Sequence, residues 1–154
     1  MLALVVLQIT VAELISIATV QPNFPLLACV YIALHRNRVA AMLHGFPAGF
    51  LIDLYTGEVV GISSLSLLAA AFVAGFFRDE EHPELLLRGP RAVLITTLAA
   101  LVFHLLYVFT YFRTLEFDII DVGLKYVLGA ALYTGILSSL PVLILARSDK
   151  RLRV

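Results

Sequence analysis

The chain has 154 residues, 61% of them hydrophobic and 14% charged, against roughly 25% charged in an ordinary soluble domain. Acidic and basic residues balance at 11 each, so no net basic field exists to draw in nucleic acid. A soluble protein of this length lacks the polar surface to cover so much apolar material, and lipid is the expected solvent for much of it.

A helix that spans a bilayer needs about 20 mostly apolar residues. Leu2 to Ala18 is the first candidate, interrupted by Gln8 and Glu13. It lacks a basic leader and a small-x-small cleavage site, which predicts a retained helix rather than a signal peptide. Pro22, Asn23 and Pro25 predict a turn, and a short second helix is expected from Pro25 to His35, with proline in its favoured first turn. The third helix is expected over 39–55 and the fourth over 59–77, joined by a tight connection at Thr56, Gly57 and Glu58.

A polar segment from Arg78 to Pro90 follows, and then a fifth helix over 91–112. The sixth helix is expected over 121–146, bent by Pro141, and a basic tail closes the chain. The expected fold is therefore all-α, a polytopic membrane bundle of about six transmembrane helices forming one domain over 1–154. With six spans, nine of the 11 Lys and Arg residues fall on the side that holds both termini. Only Arg113 and Lys125 lie opposite, and this bias predicts cytoplasmic termini.

The most distinctive stretch lies on helices three and four. Gly45, Gly49, Asp53, Gly57 and Gly61 follow one another at four-residue intervals, with Ala41 one turn earlier. Small residues at this spacing let helix backbones approach closely where lipid removes the hydrophobic drive. Helix four repeats the device with Ser66, Ala70 and Ala74. Helix six does so with Ala131, Gly135 and Ser139, or one residue earlier with Ala130, Thr134 and Ser138. Internal bundle packing is the first use of such a face, and partner binding is the second.

Ionisable groups at membrane depth are functional candidates, since an unpaired one costs several kcal/mol or more. Asp53 stands at the end of helix three, where its carboxyl can accept from backbone N–H groups at the start of helix four, around Gly57 to Gly61, or face a partner. Glu13 is read as solvated or locally hydrogen-bonded. His44 and His104 are read as neutral residues bonded to a neighbour. Neither they nor any carboxylate show a metal-binding spacing, so no metal is expected. Cys29, within an apolar run, reads as a buried, inert thiol. No nucleophile–base pairing and no phosphate-cradling glycine loop marks catalysis, and Ser63, Ser64 and Ser66 read as cap and packing residues.

Two polar surfaces remain. Glu116, Phe117, Asp118 and Asp121 alternate acidic with apolar character in the extracytoplasmic loop, suited to a partner's juxtamembrane segment or to the membrane interface. Arg147, Lys150, Arg151 and Arg153 in the tail suit anionic membrane lipid, or alternatively a cytoplasmic filament.

The stretch Gly45-Phe46-x-x-Gly49-x-x-x-Asp53-Leu54-x-x-Gly57, followed by Gly61 and a small-residue helix, resembles the signature region of the rod shape-determining MreD family. The segment from Pro25 to Leu34 is similar to that family's second helix, although Leu26 stands where an acidic residue usually follows the proline. The resemblance implies a non-enzymatic scaffold of the bacterial cell-wall elongation machinery in the inner membrane, without a cofactor. Its implied partner is the bitopic protein MreC, with RodA, a class B penicillin-binding protein and the actin-like MreB in the wider assembly. The family is also distantly similar to the substrate-binding membrane subunits of energy-coupling-factor vitamin transporters. That likeness implies an alternative, a small-molecule-binding subunit with a polar cavity opening outward.

Overall fold

Capping asparagines set where two of the central helices begin. In a computed structural model of the chain, residues 1–12, 14–16, 21–57, 59–79, 81–82, 86, 89–113 and 126–139 are described. Helix α2 (Phe24–His35) starts because Asn23 Oδ1 accepts the Leu26 N–H at 2.9 Å. Helix α3 (Arg38–Thr56) starts the same way, Asn37 Oδ1 accepting the Ala40 N–H at 2.7 Å. Each side chain satisfies one of the donors that a helix start leaves orphaned. Both helices therefore begin one residue before the positions expected from hydropathy.

The remaining elements are α1 (Leu2–Thr10), α4 (Ile62–Gly75), α5 (Pro90–Arg113) and α6 (Tyr126–Ser139). All described regular structure is helical, and the order of six helices follows the sequence expectation. Several bounds differ. Helix α1 stops at Thr10 rather than near Ala18. Its last turn is loosened, with Val11 and Ala12 both donating to the Leu7 carbonyl while the Thr10 hydroxyl bonds the Val6 carbonyl. Glu13 lies outside the described residues, as do the expected bend at Pro141 and the ends of the sixth helix.

Helix α4 is shorter at both ends than the expected 59–77. Gly61, with φ +107°, turns the chain before the helix can start. At the other end, Phe76 and Phe77 donate to carbonyls three residues back, in tighter turns than an α-helix makes.

Among the described residues two helices, Arg38–Thr56 and Pro90–Thr110 within α5, are long and apolar enough to cross a membrane. Helices α2 and α4 are apolar but have only 12 and 14 residues. At 1.5 Å per residue these two reach at most about 21 Å, short of a hydrocarbon core about 30 Å thick.

Helix α4 is central and packs against α2, α3 and α5. The core where they meet contains Leu26, Cys29, Ala33, Ala41, Ala48, Leu67, Ala70, Ala74, Ala99 and Ala100, all at most 1% exposed. Alanines outnumber large side chains there, so the backbones lie close and dispersion between them replaces large-residue interdigitation. Pro47, inside α3, has no N–H to give the Leu43 carbonyl, and its ring is on the exposed side of the helix.

Candidate functional site

The face of α3 formed by Ala41, Gly45, Ala48, Gly49 and Asp53 is buried, and it is turned inward onto α4 and α2. Gly49 makes the tightest approach. A Cβ there would lie 2.5 Å from Ser64 Cα and 2.6 Å from the Ser63 carbonyl carbon, well inside van der Waals contact. Gly45 meets α2 as well as α4, its hypothetical Cβ 3.1 Å from Cys29 Sγ and 3.6 Å from Leu67 Cβ. Ser66, Ala70 and Ala74 of α4 are buried too. Of the two registers of small residues on α6, Ala130, Thr134 and Ser138 are all buried, whereas in the other Ala131 and Gly135 are buried and Ser139 is only half-buried; Gly135 packs on Thr97 of α5.

At the turn joining α3 to α4, the backbone leaves α3 through Gly57 (φ +69°) and enters α4 through Gly61 (φ +107°). A Cβ at either glycine would touch nothing within 4 Å, so the need for glycine is conformational. Gly61 occupies the N-cap of α4 and has no side chain with which to cap it. Asp53 supplies the missing cap from α3. Its Oδ2 accepts the Gly61 N–H at 2.7 Å and its Oδ1 accepts the Ser63 N–H at 3.1 Å, with the side chain fully buried. The carboxyl also faces the positive end of the α4 dipole. Its bonding to the start of helix four matches the capping reading of the sequence, with Ser63 as a donor beyond the expected range.

The opposite end of the α3–α4 pair is held differently. The Arg38 guanidinium lies 5.7 Å from the Phe72 ring centre and 5.4 Å from that of Phe76, while Gly75 lets the Arg38 backbone come close. Just beyond, Asp79 accepts from the His82 and Glu81 N–H groups, and these bonds hold its carboxyl below the usual carboxylate range.

A cavity of about 290 Å³ lies beside the Asp53 end, where α1, α3, α4, α5 and α6 each contribute a wall residue. Ile52, Thr56 and Ser63 form the side next to the turn. Gln8 and the Gln21–Asn23 approach to α2 form another. Phe103, His104 and Tyr107 of α5 and Tyr126 of α6 complete it. The two histidines of the sequence reading part company here. His44 is exposed, its Nδ1 2.7 Å from the Ala40 carbonyl, whereas His104 is 4% exposed and its Nε2 has no hydrogen-bond partner. Among the described residues no three His, Cys, Asp or Glu side chains gather as a metal site would require. The Ser64 and Ser66 hydroxyls are buried without partners.

The sequence profile of the family described as rod shape-determining protein MreD matches residues 1–145. The chain belongs to this family. No curated protein and no solved structure matches it. Membership carries a cell-shape-determining role, in a structural family rather than a family of enzymes, and with the apolar helices it points to the inner membrane.

Of the residues singled out in the sequence, the structure brings Gly45, Gly49, Asp53 and Gly61 into the α3–α4 contact, while Ala70 and Ala74 are buried on α4 in the core. Gly57 serves the turn alone. Glu116, Phe117, Asp118 and Asp121 lie outside the described residues, as do Arg147, Lys150, Arg151 and Arg153. The cavity residues on α1 and α5 and at the entrance to α2 were not legible as a site. Their polar groups are spread from Gln8 to Tyr107 without a common spacing, and among them the sequence marked His104 alone.

Proposed function

We propose that the chain is a membrane scaffold that holds a bitopic partner, MreC, and through it RodA, a class B penicillin-binding protein and MreB. The family match over residues 1–145 carries this reading. In it the chain is one integral domain crossing the inner membrane several times, with both termini in the cytoplasm as the charge bias favours. It acts by holding neighbours and not by transforming a substrate.

The small-residue faces are already occupied by helices of the same chain, so the surface for a neighbour is sought outside them. Helix α3 offers one. Val39, Leu43, Phe46, Phe50 and Leu54 form an apolar stripe on the side away from α4, each at least 40% exposed. Of the two span-length helices α3 is the less buried, 28% against 44%, and has the most surface to give a partner's single membrane helix. The acidic–apolar loop around Glu116 to Asp121 and the basic tail from Arg147 add contacts outside the hydrocarbon.

Co-purification from mild detergent tests this. Phe46→Ala combined with Phe50→Ala is expected to lower the yield of the MreC complex about tenfold while the isolated chain melts as the wild type does, since these rings contribute little to its own core. Wild-type yield from the double variant removes the α3 stripe from the interface. Failure of the wild type to retain MreC, with an ATPase module co-purifying instead, favours the transporter-subunit alternative.

A further inference from the structure

The outward face of α3 carries more than apolar side chains. Val39, Leu43, Phe46, Phe50 and Leu54 lie on the side away from α4, and His44 and Pro47 are exposed among them. At 1.5 Å per residue His44 stands about 9 Å inside the Arg38 end of the helix and about 18 Å from the Thr56 end. With α3 as a membrane span, both His44 and Pro47 face hydrocarbon, where no water is at hand to complete a hydrogen bond.

Two acceptors open onto this face. Pro47 has no N–H, so the Leu43 carbonyl lacks the donor that a regular helix supplies four residues on. Leu43 and Pro47 are both exposed, which puts this gap in the hydrogen-bond ladder on the outer side of α3. His44 supplies the second acceptor. Its Nδ1 lies 2.7 Å from the Ala40 carbonyl oxygen. A carbonyl oxygen only accepts, so Nδ1 donates, and the uncharged ring then presents Nε2 as an acceptor. The imidazole bonds back toward the helix start, which separates the two acceptors by about one turn, roughly 5 Å, along the axis.

The polarity of these groups selects the occupant. Lipid tails have no donor to give them. A second copy of this chain, related by a two-fold axis along the membrane normal, would bring the face against itself and set acceptor against acceptor. A membrane helix of another protein fits when it carries hydroxyl or amide side chains, whose O–H and N–H groups donate. Residues three or four apart in such a helix share one side and match the separation of the two acceptors. The apolar stripe around them supplies the packing that keeps the bonds in hydrocarbon.

We propose that α3 docks a partner's membrane helix through two hydrogen bonds, the Leu43 carbonyl and His44 Nε2 accepting from Ser, Thr, Asn or Gln side chains three or four residues apart. This rests on the scaffold reading and specifies the chemistry of the partner helix. Pro47 then opens the site by withholding an N–H from its own helix.

The full chain is reconstituted in phosphatidylcholine nanodiscs, whose lipid has no hydrogen-bond donor, with and without full-length MreC, and read by solid-state NMR. Labelling leucine carbonyls with carbon-13 and histidine amides with nitrogen-15 selects two carbonyls, those of Leu34 and Leu43, because these leucines precede a histidine. MreC is expected to move the Leu43 carbonyl and His44 Nε2 resonances and to leave the carbonyl of Leu34, buried in α2, in place. Pro47→Ala restores the missing N–H, so it should melt no lower than the wild type and yet retain MreC about fivefold less well. His44→Leu, which keeps the stripe apolar, should weaken retention by a similar factor. If MreC binds the wild type and either resonance stays in place, the proposal is overturned and the scaffold reading stands. Wild-type retention by both variants has the same consequence. Failure of the wild type to bind MreC removes the scaffold reading and this inference with it. The decisive resonances belong to the wild-type chain and do not depend on any variant folding.

Discussion

The two ends of the α3–α4 pair are fastened by opposite kinds of chemistry. At the turn a fully buried carboxyl, Asp53, accepts two backbone N–H groups, and two left-handed glycines let the chain reverse. At the far end an exposed guanidinium, Arg38, lies over two phenylalanine rings. Water can replace the second set of contacts and cannot replace the first. The difference follows from depth: a donor stripped of its partner beside Asp53 has no solvent to turn to, whereas an arginine released from Phe72 and Phe76 is hydrated at once.

Substitutions along this pair test that contrast, and they order by burial. Gly49→Leu has the largest expected effect. It forces a branched side chain into the backbone of Ser63 and Ser64, and a loss of more than about 3 kcal/mol is expected, read as failure of the chain to refold from denaturing detergent. Such a variant also loses its partners, so reduced complex yield from it reports on the fold of this chain and not on an interface.

Asp53→Ala comes next. It orphans the Gly61 and Ser63 N–H groups and is expected to cost about 3 kcal/mol by steric-trap unfolding, with Asp53→Asn recovering about half because one amide oxygen still accepts. A loss equal to that of an exposed substitution would refute the buried cap. Gly61→Ala is expected to cost about 1–2 kcal/mol, and Gly57→Ala less, since φ +107° lies farther than φ +69° from the left-handed region that side chains tolerate.

Arg38→Ala should have the smallest effect, about 0.5–1 kcal/mol, decreasing further in high salt. If Arg38→Ala proved as damaging as Asp53→Ala, the difference between the two ends would vanish.

The same contrast separates what was readable from what was not. The α3–α4 contact was visible because its residues recur at helical spacing on neighbouring segments, so Gly45, Gly49 and Asp53 had to share a face. The turn was visible because glycine punctuates it, although the chain needs more of the turn than Gly57 alone and α4 begins later for that reason. Asn23 and Asn37 preceded their helices as capping residues do, and attention to them would have corrected two helix starts. Helix α1 was overextended because hydropathy continues past the point where the last turn loosens at Val11 and Ala12. Apolar composition reports on the surroundings of a segment and not on where its hydrogen bonds stop.

The sequence by itself determined the class of structure: a run of apolar helices, small residues on the faces that meet, and a family membership that carries a cell-shape role. The helices and their small faces follow from composition and periodicity, which are local properties, and the membership from the match of the family profile over residues 1–145. Tertiary structure decided which helices those small faces serve, namely neighbours in the same chain, and it alone assembled Gln8, Asn23, His104 and Tyr126 around one cavity. No local rule brings such residues together. Their convergence depends on how helices remote in the chain pack, and that packing is set by where close backbone approach is sterically allowed.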